Sequence, residues 1–269
     1  MLDIYSAFVG LLVLAGIGML VFFKRILDRY GTISALFVGF LVLLMGGWEW
    51  LILLFVFFSI AAIATSFRFE QKKKLGSAEG QTDIRSWKNV FANAAVSVAS
   101  AVVLGTTSIG LFGFAFLGAI STSMADTLAT EFGLLNPYQP RLITNFSKRV
   151  PAGTSGGVSP YGVLAALIGA GIMSIAAMLL GFGHFTYSSV LVSTFVGGFL
   201  GSLFDSFLGA TVQAKFACQV CGKIVEKRMH CERETNHSSG LSIMGNDFVN
   251  FISSLFGAAI AVFLSILVT

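Results

Sequence analysis

Eight apolar runs separated by polar breaks divide the chain at about 4–23, 32–47, 49–66, 90–108, 111–131, 156–180, 187–213 and 246–268. Each is close to the ~20 residues that a helix needs to cross the hydrocarbon core of a bilayer, the second being the shortest. Within the later runs, polar and small residues recur every fourth position. Thr122, Asp126 and Thr130 share one helical face in the fifth run, with Ser123 beside them. Gly197, Gly201, Asp205, Gly209 and Gln213 do the same in the seventh. The fourth run opens with Arg85, Asn89, Asn93 and Ser97 at this spacing. The eighth begins with Asn246, Asp247, Asn250 and Ser254. The first three runs carry no such stripe. The pattern predicts an all-α polytopic membrane protein forming one integral membrane domain over 1–269. In it, 1–66 is scaffold, 85–257 carries the chemistry and 214–245 forms an extramembrane loop.

Composition agrees: 55% of residues are hydrophobic and 11% charged, against about 25% charged in a soluble domain. All 17 Lys and Arg residues fall in the loops after the first, third, fifth and seventh runs. Positively charged loops stay in the cytosol. A multi-pass protein of the cell membrane is therefore expected, with both termini outside and the four basic loops inside. Losing or adding one helix would scramble this bias. The net charge of +4 is explained by those loops and implies no nucleic-acid partner. Met1-Leu2-Asp3 lacks the positive start of a cleavable signal peptide. The Lys72, Lys73 and Lys74 run is expected to mark topology and touch anionic lipid. Trp48 and Trp50 are expected at the interface, and His184 on the outer side.

An ionisable residue inside a membrane segment is costly and marks a site until shown otherwise. Asp126 lies roughly 8–10 Å from the inner end of its helix and Asp205 about 12 Å. Asp247 and Asn93 enter from the same side, which implies a polar cavity facing the cytosol. A lone Asp can simply bond neighbouring helices, but three at matched depth weigh against that reading. Their hard oxygens suit Mg²⁺ carrying a nucleotide polyphosphate. At the rim lies Val150-Pro151-Ala152-Gly153-Thr154-Ser155-Gly156-Gly157-Val158-Ser159-Pro160, following Lys148 and Arg149. Free amides and the helix dipole make the start of a helix a seat for phosphate. Gly153, Thr154, Ser155, Gly156 and Gly157 are candidates for that seat, although no Gly-Lys-Ser/Thr follows as in a P-loop. The plainer reading is an N-cap at Thr154 or Ser155, with glycines for close helix packing.

The three cysteines share the last basic loop, which rules out a disulfide framework. Cys218-Gln-Val-Cys221-Gly is the shape of a zinc knuckle. Cys231 with His230 or His237 would complete a structural Zn²⁺ site that pins the loop over the cavity. The alternative is three reduced thiols without metal.

Five segments occur in order: Arg85-Ser-Trp87-Lys-Asn-Val-Phe-Ala-Asn93, Ala125-Asp126-Thr127-Leu-Ala-Thr-Glu131-Phe-Gly133, Gly153-Thr-Ser-Gly-Gly157-Val-Ser, Gly201-Ser-Leu-Phe-Asp205-Ser206-Phe-Leu-Gly-Ala-Thr211 and Asn246-Asp247-Phe-Val-Asn250. Together they resemble the multi-spanning membrane family that includes the phytyl-phosphate kinase of plant plastids. That family is more distantly similar to CTP-dependent dolichol kinases and CDP-diacylglycerol synthases. The resemblance runs over essentially the whole chain and implies a kinase that adds a second phosphate to a prenyl monophosphate, with CTP as donor. On this reading Asp126, Asp205 and Asp247 hold one or two Mg²⁺, and the 153–157 turn cradles the nucleotide with Asn246 and Asn250 nearby. Arg85 with Lys148 or Arg149 clamps the acceptor, Asn93 is a further catalytic candidate, and Glu131 supports the aspartates. Phosphoryl transfer to a phosphate anion needs positioning and charge neutralisation but no separate base. The rival readings are a cytidylyltransferase making a CDP-lipid and an ion or solute transporter.

Overall fold

The computed structural model describes residues 4–74, 86–182 and 185–268. Eight of its helices are long and apolar enough to cross a membrane. The chain opens with α1 (Ile4–Phe23), α2 (Arg29–Gly46) and α3 (Trp48–Ser66), followed by a six-residue α4 (Phe69–Lys74). Then come α5 (Trp87–Thr107), α6 (Leu111–Gly133), α7 (Pro160–Leu180), α8 (Tyr187–Thr211) and α9 (Asn246–Leu267). The eight expected spans are thus present, and their ends are set by capping chemistry. Asp28 accepts the Gly31 amide at 2.6 Å to start α2. Asn89 Oδ1 accepts the Ser86 amide at 3.1 Å at the start of α5. Part of the polar stripe expected at the start of the fourth run is therefore a helix cap.

α6 is the axis of the bundle. Every residue from Gly113 to Ala125 is buried, because α3, α5, α7, α8 and α9 all pack against this helix. Lipid tails offer no hydrophobic drive between helices, so close packing must hold them. A Cβ on Gly198 would fall 2.0 Å from Ser121 Oγ; on Gly201 and Gly257 it would fall 2.2 and 1.9 Å from Thr122 Oγ1. Thr122 then bonds the backbone of two helices, donating to Gly118 O at 2.9 Å and Gly197 O at 3.3 Å. Gly201, one turn before Asp205, therefore makes room for α6 and not for a ligand.

α1 packs on α2, and α2 lies along α5. Together with α3 these helices enclose a cavity of about 70 Å³ whose lining is apolar apart from Thr32, Asn89 and Asn93. Trp50 is not an interfacial anchor. It is buried, with its ring 4.5 Å from Phe116 and 5.0 Å from Phe182. Nor does Lys72 reach lipid, because it is 2% exposed and its ammonium donates to Ala64 O, Thr65 O and Glu131 Oε2.

Two small antiparallel sheets add to the helical bundle. The loop after α6 forms β1 (Arg141–Leu142) and β2 (Asn145–Arg149), and β3 (Gly157–Val158) joins them in the order β2-β1-β3. The loop after α8 forms β4 (Lys215–Cys218), β5 (Ile224–Val225), β6 (Met229–His230) and β7 (Arg233–Ser239), in the order β5-β4-β7-β6. Both sheets lie at the end of the bundle that carries the basic loops.

Candidate active site

Four helices bring polar side chains together near that basic end. Asp126 of α6 and Asp205 of α8 are half-buried and lie within electrostatic reach of one another. Asp205 sits about 9 Å from the end of its helix at Thr211. From α9, the Asn250 amide donates to Asp205 Oδ2 at 3.2 Å, and the Ser253 hydroxyl is within bonding reach of the same carboxylate. α5 is tied in through α6: Ser123 Oγ donates to Asn93 O at 2.7 Å and lies 3.3 Å from Ser254 Oγ. Ser254 in turn donates to Asn250 O at 2.8 Å. Among the described residues, no Lys, Arg or His forms an ion pair with Asp126 or Asp205. Two carboxylates within electrostatic range of each other and without an ion-pair partner suit a bound divalent cation better than a packing role.

The extramembrane loop contributes a third carboxylate that the sequence pattern did not reveal. Glu226, between β5 and β6, is exposed as a residue, yet its carboxyl group lies within electrostatic range of Asp205 and Lys215 and near Ser155 and Gln213. Burial of that carboxyl raises it above the ordinary Glu range, with Lys215 opposing the shift. Burial likewise lowers the Lys215 ammonium, and Glu226 opposes that shift while Lys148 reinforces it. Gln213 is buried; its Oε1 accepts from Ser155 Oγ at 2.6 Å, while its Nε2 has no acceptor within bonding distance. Nothing in the periodicity of the membrane helices points to Glu226, whose place is set by the fold of the loop.

The 153–157 turn does not start a helix. Ser159 is the N-cap of α7, accepting the Gly162 amide at 3.1 Å, and Pro160 is its first residue. The turn closes on itself: the Thr154 amide and hydroxyl both donate to Pro151 O, at 3.2 and 2.7 Å, and the Gly157 amide donates to Thr154 O at 2.9 Å. Gly156 has φ +81, and a Cβ there would lie 2.4 Å from Ala210 N of α8. Gly209 is filled in the same way, since a Cβ there would lie 2.6 Å from Ser155 Oγ. The turn is thus a plug seated on the end of α8. Gly153, at φ +79, lies within the turn, and Ser155 ties the turn to Gln213 just past α8, but the donors of Thr154 and Gly157 are already used.

The remaining candidates divide. Asp247 and Asn246 are exposed in the first turn of α9, where a negative charge favours the positive end of the helix dipole. The ligand oxygens of Asp126, Asp205 and Asp247 do not all lie within 4.8 Å of one another, so the three do not form one compact ligand group. Glu131 pairs with Lys72 instead of supporting the aspartates. Asn93 is half-buried and donates from Nδ2 to Asn89 O at 2.8 Å. Lys148 and Arg149 are exposed on β2, with Lys148 near Lys215. Arg85 and His184 lie outside the described residues.

Four ligand atoms converge in the second sheet. Those of Cys218, Cys221, His230 and Cys231 all lie within 4.8 Å of one another. His230 Nδ1 is 3.5 Å from Cys221 Sγ and 3.3 Å from Cys231 Sγ. His237 is not part of the group, since its ring packs edge-on against Phe216. The Cys218 thiol is lowered to about 6, chiefly by hydrogen bonding to the Cys221 backbone.

The chain is similar to an uncharacterized membrane protein of Methanocaldococcus jannaschii, 30% identical over 260 residues, covering 95% of this chain and 92% of the relative. It is also similar to two proteins of Arabidopsis thaliana. Protein PGR is 31% identical over 260 residues, covering 86% of each chain. The chloroplastic Protein VTE6 is 26% identical over 241 residues, covering 88% of this chain and 64% of the relative. No solved structure matches. The family model for "Integral membrane protein DUF92" matches residues 12–258, from within α1 to within α9, and the chain belongs to that family of integral membrane proteins.

Proposed function

We propose that this protein is a membrane-embedded, CTP-dependent phosphotransferase that converts a prenyl monophosphate to the diphosphate. One observation carries the reading: Asp126 and Asp205 lie within electrostatic range of one another without an ion-pair partner among the described residues, at the basic end of an apolar bundle. The resemblance to the phytyl-phosphate kinase family supports the lipid acceptor. A prenyl phosphate must keep its chain in the membrane while the nucleotide arrives from water. A carboxylate site about 9 Å inside the helix ends meets both demands. By the charge rule, that side is the cytosol.

Asp126 and Asp205 fit Mg²⁺, which binds through one or two carboxylates and the phosphates of the substrate, and Glu226 adds negative charge within electrostatic range of Asp205. When bound, the ion would neutralise charge building on the transferred phosphoryl group. Asn250 orients Asp205 by donating to it. Lys215 and Lys148 offer positive charge to phosphate from the loops, in place of the helix-start seat expected at 153–157. The acceptor is already an anion, so no side chain need remove a proton. α1, α2 and α3 give the prenyl chain an apolar wall that reaches Asn89 and Asn93.

A transporter would place its site near the bilayer midplane between repeated halves, and the off-centre carboxylates argue against it. The deciding experiment incubates the purified protein with phytyl monophosphate, Mg²⁺ and CTP labelled at either the α or the γ phosphate. Transfer of the γ label to lipid is expected. Transfer of the α label would make the protein a cytidylyltransferase. No labelled lipid from a panel of prenyl phosphates and nucleotides would sink the proposal.

A further inference from the structure

The second sheet is hard to explain as a free-standing unit. β5, β6 and β7 are mostly exposed, and in β4 only Phe216 and Cys218 are buried. So small a unit cannot bury enough apolar surface to hold itself together and needs a staple. The staple is implied where the two hairpins meet. Cys218 and Cys221 come from the β4–β5 turn, and His230 and Cys231 from the β6–β7 turn. Tight turns present both pairs, with Gly222 at φ +71 and Cys231 at φ +51.

We propose that residues 214–245 form a zinc ribbon in which Cys218, Cys221, His230 and Cys231 bind one Zn²⁺, and that the metal fixes the loop segment that carries Glu226. Tetrahedral zinc with Zn–S of about 2.3 Å and Zn–N of about 2.0 Å requires S···N separations of roughly 3.5 Å. The His230 Nδ1 separations of 3.5 and 3.3 Å match this. A set of three thiolates and one imidazole with no open position selects zinc as a structural ion. The Val220 amide, 3.4 Å from Cys218 Sγ, gives the thiolate the outer hydrogen bond that such ligands take. Binding releases the thiol protons to solvent and leaves the four-ligand centre with one negative charge.

Glu226 lies five residues after Cys221 and four before His230, so one ion fixes both ends of the segment that links the two hairpins and carries it. This coupling rests on the phosphotransferase reading, whereas zinc binding does not.

The test uses the full chain, purified in detergent without chelator. Metal analysis is expected to give about one zinc per chain, falling at least tenfold in Cys221→Ser with Cys231→Ser. Co²⁺ exchanged into the protein should show the intense visible absorption of a tetrahedral thiolate site. His230→Cys, which keeps four ligands, should retain zinc. Stripping the metal with a high-affinity chelator should speed amide exchange in 214–245 while leaving the membrane helices protected. It should weaken Mg²⁺–CTP binding by about the same factor as Glu226→Gln does in zinc-loaded protein. Folded protein that neither contains nor takes up zinc, or that carries iron alone, overturns the ribbon. Zinc loss that leaves the exchange of 222–229 unchanged overturns its link to Glu226. Zinc present with no nucleotide chemistry keeps the ribbon and refutes the phosphotransferase reading.

Discussion

At the scale of single residues, a charge inside a membrane helix is the most informative feature of this chain. Asp205→Asn keeps the shape of the side chain and relieves a desolvation cost, so the protein should fold and insert normally. Its Mg²⁺–CTP-dependent transfer rate should nevertheless fall by roughly 10²-fold or more. Near-normal turnover with phytyl phosphate would remove Asp205 from the metal site, and failure to fold would make it structural. Glu226 permits a pH test. Burial raises its carboxyl above the unfolded value, so the stability tied to its neutral form is present at low pH and lost as pH rises through the folded value. Glu226→Gln should therefore raise the thermal midpoint at pH 8 and leave it unchanged at pH 4; an equal shift at both would refute the burial. Asp126 and Asp205 were legible because four-residue spacing put them on polar faces of apolar helices. Asp247 lies beside Asn246 at the start of a similar polar face, yet it ends exposed in the first turn of α9, because sequence pattern gives the face of a helix and not its distance from a neighbour. Glu226 was illegible for the opposite reason: its position depends on strand pairing and ligand convergence, which have no helical period.

At the scale of elements, the spans were legible from hydrophobicity, while their ends follow from caps. Ser159 followed by Pro160 is a strong helix start, and it outweighs the glycine-rich turn before it. The glycines in that turn and in α8 answer to packing: Gly156 meets Ala210, and Gly201 meets Thr122. Hydropathy also gave no sign of how α3, α4 and α6 are joined. Lys72 turns back from α4 to cover two last-turn carbonyls of α3 and to pair with Glu131 of α6. Breaking a buried ion pair by removing one partner typically costs about 3–5 kcal/mol. Lys72→Met should therefore lower the thermal midpoint sharply in detergent. Replacing both partners, as Lys72→Met with Glu131→Leu, should recover most of the loss. A single variant as stable as the native protein would show that the pair does not tie these helices together.

At the scale of the whole molecule, the distribution of charge and the position of the site point the same way. Every basic residue falls in alternate loops, and both small sheets, the paired aspartates and Glu226 gather at the end of the bundle those loops define. The gathering of basic residues and of the two membrane aspartates toward one end was legible from the sequence, because lipid forces charge to the ends of helices and the positive-inside rule separates the two ends. The sheets and Glu226 were not. What the sequence could not show was the central place of α6, since a helix buried on all sides reads much like one facing lipid. The orientation can be tested directly in intact cells, with the three native cysteines replaced by serine. Thr107→Cys lies at the end of α5 away from the basic loops, and Asn145→Cys lies on β2; both positions are exposed. The first should react with a membrane-impermeant thiol reagent in intact cells, and the second only after permeabilisation. The reverse pattern would put Asp126, Asp205 and Glu226 on the outer side, where CTP is not supplied, and the nucleotide-dependent reading would fall with the orientation.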